Sequence, residues 1–212
     1  MGKGNSIVIE SEYTMKYSYD ELLEMVVRDI PIRKTKEVYG ITFIGLPGVG
    51  KTTVANRLSK KTGLYVTAND KIRCLLEELG YDVYGKHRAL VESLANDRTK
   101  YMLRNGISMI IDANMNGFYE MAINNFKEFN AKSFFIKLEC SEEVILDRIK
   151  KRLISHDLNN YSKADKEVYF VNKERFKLKP FPKEYVFATI NTEDDIDNQI
   201  DVVVNKILDS IN

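Results

Sequence analysis

The run Gly45-Leu46-Pro47-Gly48-Val49-Gly50-Lys51-Thr52 constrains this chain more than any other feature. It fits the spacing G-x-x-x-x-G-K-[ST], with an apolar stretch at 38–44 before it and a helix-forming stretch at 51–61 after it. Glycines at these places let the backbone curl so that consecutive N–H groups face one point. The helix that follows adds the positive end of its dipole. Such a loop is built for phosphate oxygens. Lys51 is expected to reach the β- and γ-phosphates of a nucleoside triphosphate, and Thr52 to hold Mg²⁺ through its hydroxyl. Thr53, in the first helical turn, completes the nucleotide-binding set.

The rest of the chain alternates. Apolar runs at 64–67, 107–111, 133–138 and 185–190 read as further strands. Helical patterns occupy 70–79, 89–105, 118–129, 141–155, 163–175 and the residues after Thr192. Ser141 is the expected cap of one helix, and Thr192 of the last, with Asp195 at its capping-box position. Strands alternating with helices imply an α/β, three-layer P-loop fold on a mainly parallel five-stranded sheet. Residues 38–212 are expected to form this domain, with a lid at roughly 148–180. Residues 1–37 read as an appended segment. Within it Ser18 caps a helix whose apolar face is Leu22, Leu23, Val26, Val27 and Ile30, stopped by Pro31. That helix covers either an edge of the same domain or a partner, so an oligomer through 1–37 is one expectation.

No apolar run approaches the ~20 residues of a membrane span, and the first residues lack a secretory leader pattern. Both point to a cytoplasmic protein without a membrane partner. Cys74 and Cys140 lack metal-ligand spacing and are expected to be reduced. Net charge is +1, but 148–183 holds eleven Lys/Arg against four Asp/Glu, an excess of +7. Such a block suggests an anionic partner or a solvated basic face.

Three further groups carry candidate chemistry. The strand at 107–111 leads into Asp112, the Walker B arrangement, expected to hold Mg²⁺ beside Thr52. Ala113 stands where motor ATPases place a water-activating glutamate, which favours transfer to a substrate over hydrolysis. Asp70 follows the second strand, where loops of a parallel sheet meet around a ligand. A carboxylate there can take the proton of an attacking hydroxyl, and Arg73, one turn later, can hold the acceptor. Arg148 and Arg152 share a helical face leading into the lid and are expected to neutralise phosphoryl charge and bind nucleotide.

The series GLPGVGKTT, NDKIR, MIIDANMN and CSEEVILDRIKKR resembles the P-loop kinases that include the polynucleotide 5′-hydroxyl kinase domain, with zeta-toxin-type and small antibiotic kinases as relatives. The likeness spans about 39–195. It implies a kinase using ATP and Mg²⁺, with Lys51, Asp70, Arg73 and Arg148 as catalytic residues. It also implies Asn114 and Asn116 of the D-x-N-x-N run on the acceptor side, and the adenine near the basic stretch beyond Arg152. The leading acceptor is a polynucleotide 5′-hydroxyl. A small metabolite, sugar nucleotide or antibiotic is the alternative, and a non-catalytic ATP-binding regulatory module the third reading.

Overall fold

The computed structural model describes residues 16–154 and 164–211. Strands β1 (Tyr39–Ile44), β2 (Tyr65–Ala68), β3 (Met109–Asn114), β4 (Lys132–Glu139) and β5 (Val186–Asn191) form one sheet in the order β2-β3-β1-β4-β5. Every pairing in it is parallel. Parallel strands need crossovers, and the connecting helices cover both faces. They are α2 (Lys51–Thr62), α3 (Asn69–Glu78), α4 (Arg88–Arg104), α5 (Tyr119–Glu128), α6 (Glu142–Ile154) and α7 (Lys166–Leu178), with α8 (Ile196–Ile211) at the end and α1 (Tyr19–Val27) at the start. This is the three-layer P-loop fold expected from the alternation. No helix among the described residues is long and apolar enough to cross a membrane.

β1 is central and buried along its whole length, so its six residues face packed helices on both sides. A Cβ at Gly40 would run into the Phe126 ring of α5, and this close approach is why the position holds glycine. The strand order makes β1 the switch point, flanked by β3 and β4, and its carboxyl end opens into a crevice.

Two expectations on elements are corrected. β3 begins later and runs on through Asn114, so Asp112 lies inside the strand rather than at its end. A shift in the β1–β3 register beyond Thr42 accommodates this extension, and Met115 N–H still donates to Phe43 C=O at 3.0 Å. Thr192 does not cap α8. It is buried, and its hydroxyl donates to Val49 C=O at 2.7 Å. Asp195 takes the capping role, accepting from the backbone N–H groups of Asp197 and Asn198. The expected roles of Ser155 and Lys163 at helix ends lie outside the described residues.

Helix α1 docks on its own domain. Ser18 and Glu21 close a reciprocal capping box. Leu22, 0% exposed, enters a cluster with Ile72, Leu76, Val91 and Leu94 of α3 and α4. Tyr19 Oη donates to Asp97 Oδ2 at 2.6 Å. Neither Cys74 nor Cys140 is in a disulfide.

Candidate active site

The loop between β1 and α2 takes its shape from two glycines in left-handed conformation, Gly48 (φ 83°) and Gly50 (φ 105°). At Gly48 a Cβ would meet Ile145 and Ile149 of α6 at 3.0 and 2.9 Å, so α6 packs directly on the loop. Val49 points into the core, and Lys51 Nζ donates to Gly45 C=O (3.0 Å) and Leu46 C=O (2.9 Å). Pro47, Gly48, Gly50, Lys51, Thr52 and Thr53 face a cavity of about 920 Å³. Gly45, Leu46 and Val49 stand behind them and hold the curl.

Strand register brings the acids to this cavity. Ala68, the last residue of β2, is level with Asp112 on β3. Asp70 is two residues further on, in the first turn of α3, and both carboxylates line the cavity. Burial pushes the Asp112 carboxyl up. A hydrogen bond from Thr52 and the charge of Lys51 oppose that shift, and Asp70 reinforces it. Burial likewise brings the Lys51 ammonium down to about 8, with Asp112 and Asp70 pulling it back. Lys51, Thr52, Asp70 and Asp112 are thus one electrostatic group, assembled from β1, β2 and β3. Arg73 forms an ion pair with Asp70 and also lines the cavity.

Arg148 lines the cavity and also braces the loop. Its guanidinium donates to Thr192 Oγ1 (2.9 Å), Thr192 C=O (2.8 Å) and Val49 C=O (3.3 Å), behind the phosphate loop. Arg152, one turn on, donates to Ala164 C=O and faces the cavity, where burial lowers its pKa and Asp70 opposes the shift. Asn114 lines the cavity. Asn116 does not and is corrected. It is buried, its N–H donates to Asn114 Oδ1 (3.2 Å), and its Nδ2 donates to Lys179 C=O (3.1 Å), so the amide clips the end of α7 to the β3–α5 loop.

Several wall residues carry no signal in the linear sequence. Beyond Asp70, the cavity widens between α3, α4, α5 and α7. Arg88, Glu92 and Asn96 come from α4, Asn125 from α5 and Arg175 from α7. Asn125 Nδ2 donates to Asn96 Oδ1 at 2.7 Å across the α4–α5 seam. Tyr84, Phe118 and Met121 present exposed apolar faces to the same space. Helical spacing alone does not separate them from surface positions.

Comparison with known proteins bears on the family and the fold. The profile of a family described as AAA domain matches residues 41–168. The signal recognition particle 54 kDa protein of Pyrobaculum neutrophilum is 33% identical over 90 residues, which cover 35% of this chain and 21% of that protein. The chain therefore spans about a fifth of the length of the curated relatives it matches. A provisionally assigned kinase from Chloroflexus aurantiacus superposes with a TM-score of 0.62 at 20% identity, over 82% of this chain and 98% of that one. Kti12 of Chaetomium thermophilum, solved in complex with ADP-AlF3, superposes at 0.60 with 18% identity, over 82% and 99%. At these identities the likeness to solved structures is one of fold.

Proposed function

The chain belongs to the AAA domain family, and on that premise we propose that it is a phosphotransferase that moves the γ-phosphoryl group of ATP to a substrate hydroxyl. One observation carries this reading: Asp70, in the first turn of α3 after β2, and Asp112, within the adjacent strand β3, share a cavity with Lys51 and act on its charge. The amides of the 45–52 loop and Lys51 hold the β- and γ-phosphates. Arg148 keeps that loop in shape from behind, and Arg152 faces the phosphates from α6. Thr52 and Asp112, joined by a hydrogen bond, are hard oxygen donors that fit Mg²⁺. The metal would supply charge neutralisation on the phosphate oxygens. Asp70 takes the proton of the attacking hydroxyl as that oxygen bonds to the γ-phosphorus and ADP leaves. Arg73 holds Asp70 and the acceptor. Ala113 gives no carboxylate for activating water.

For the acceptor we propose a polynucleotide 5′-hydroxyl end. In the chamber beyond Asp70, Arg73 pairs with Asp70 and Arg88 with Glu92, and Arg175 adds a net positive charge, which suits an anion. Tyr84 and Phe118 offer faces on which a base can stack. The same charge balance disfavours a cationic antibiotic. The basic block 148–183 contributes less than its sequence suggests, because Lys151, Lys173 and Lys177 pair with Asp147, Glu142 and Glu174. A small anionic metabolite is the second reading, supported by a cavity size typical of sites for single small ligands.

The test is transfer of labelled γ-phosphate with Mg²⁺ to a 5′-hydroxyl oligonucleotide, with Asp70→Asn as control. Label on the oligonucleotide, lost in the variant, supports the reading. Label found only on small molecules of a cell extract selects the second acceptor class. ATP binding with no transfer to any acceptor, unchanged in Asp70→Asn, makes the chain a regulatory nucleotide-binding module instead.

A further inference from the structure

Arg98 on α4 is 4% exposed, and among the described residues no carboxylate pairs with it. Its guanidinium makes two hydrogen bonds, both to the junction of β2 and α3. Nη1 donates to Ala68 C=O at 3.1 Å and Nη2 to Asn69 Oδ1 at 3.2 Å, while the buried Nε has no partner. Burial draws the group down to about 10, opposed by Tyr65, so it is still a cation at neutral pH. Burying a charge of this kind without an opposite charge is unfavourable. Packing does not account for it, since an apolar side chain of the same length would fill the space without that cost.

The junction that Arg98 grips explains its presence. The N-cap of α3 is Ala68, which has no side-chain oxygen, and no side chain caps this helix start. Asp70 follows within the first turn. The planar fork of arginine closes on the two residues that precede Asp70 and supplies from α4 the rigidity that a cap would have supplied locally. α4 is itself fastened by the two residues that precede Arg98. Asp97 accepts from Tyr19 of α1, and Asn96 accepts from Asn125 of α5. Three consecutive residues of α4 therefore tie together α1, α5 and the β2–α3 junction.

We propose that Arg98 is a positioning residue for Asp70: its grip on Ala68 and Asn69 sets where the Asp70 carboxylate enters the cavity. Asp70 is also held by its ion pair with Arg73, which is itself partly exposed. This inference rests on the reading of Asp70 as the base in phosphoryl transfer. Displacing a reacting group by about 1 Å can cost 10²-fold in rate, so a loosened junction shows in kcat before it shows in nucleotide affinity.

The test compares Arg98→Met and Arg98→Lys with wild type, alone and combined with Asp70→Asn. The probes are the 5′-hydroxyl oligonucleotide as acceptor, a fluorescent ADP with Mg²⁺, and amide hydrogen exchange. In Arg98→Met, kcat falls about 100-fold, ADP affinity stays within about twofold, and exchange rises at 67–73 alone. Arg98→Lys, which keeps one donor, recovers part of kcat. In the Asp70→Asn background the Met substitution has no further effect, because a residue that acts through Asp70 has nothing left to position. An undiminished kcat in Arg98→Met, an additive loss in the double variant, or exchange raised throughout the molecule would overturn the proposal. If wild type leaves the oligonucleotide unlabelled, the acceptor assignment falls, and the exchange data still decide the grip: unchanged exchange at 67–73 in both Arg98 variants refutes it.

Discussion

Arg148 Nη1 lies 2.9 Å from Thr192 Oγ1, and both groups donate to the carbonyl of Val49 in the middle of the phosphate loop. The two residues come from α6 and from the segment after β5. They meet because β4 and β5 are neighbours in the sheet and their carboxyl ends lie beside that of β1. The Thr192 backbone N–H donates to Glu139 C=O at 2.9 Å, so one residue links the loop to the end of β4. The loop is thus held through the Val49 carbonyl by residues of two other elements.

Replacing Thr192 by valine keeps the side-chain volume and removes this link. The Val49 carbonyl then keeps only the longer bond from Arg148, and Arg148 Nη1 loses Thr192 Oγ1 as an acceptor, a loss of about 1–3 kcal/mol. Thermal denaturation of Thr192→Val should show that destabilisation, and titration with fluorescent ADP should show affinity reduced about tenfold, equivalent to 1.4 kcal/mol. Unchanged ADP affinity would mean that the loop keeps its shape without the brace.

Asp70 and Lys51 should separate into different kinetic classes. Asp70→Asn should lower kcat by about 10²–10⁴-fold while ADP affinity stays within about twofold, since its role is toward the acceptor. Lys51→Ala should abolish nucleotide binding, because the ammonium sits inside the loop on Gly45 and Leu46. Equilibrium binding and single-turnover transfer on the same preparations make the comparison.

The docked helix α1 is a structural component of the α3–α4 face. Leu22 is fully buried against Ile72, Leu76 and Leu94. Leu22→Ala should destabilise the protein by about 2–5 kcal/mol, measured by urea unfolding. A change below about 0.5 kcal/mol, the range of ordinary surface substitutions, would show that α1 is not anchored there in solution.

A pH-dependent clasp joins α6 to α7. Glu142 accepts from Lys173 and from Tyr169 Oη, the latter at 2.9 Å, and these hydrogen bonds, Lys173 first, hold its carboxyl below the ordinary 4.5. A depressed carboxyl stabilises the folded state above its unfolded pKa and loses that contribution as pH falls through the folded value. The Tm of Glu142→Gln should therefore lie below wild type at pH 7, and the gap should close as pH drops below 4.5. A gap independent of pH would show that the amide loses packing rather than charge.

The linear sequence determined the phosphate loop, the alternation of strands and helices, and the helix cap at Ser18, because each is settled by neighbours along the chain. The φ angles of Gly48 and Gly50 and the helix start at Lys51 belong to eight consecutive residues, so no long-range interaction was needed to read them. Asp70 and Asp112 were legible as residues that follow or lie late in strands, though not as partners. Their meeting depends on β2 pairing with β3 at Ala68 and Asp112. Tertiary structure alone decided that Thr192, 143 residues from Val49, braces the loop rather than capping a helix. It also decided that Asn116 turns toward Lys179, that Arg98 grips the start of α3, and that α1 settles on its own domain. Hydropathy spacing shows which face of an element is buried, but it does not specify the element buried against it. That specification comes from strand order and from the demand that each buried polar group find a partner, both of which exist only once the chain has folded.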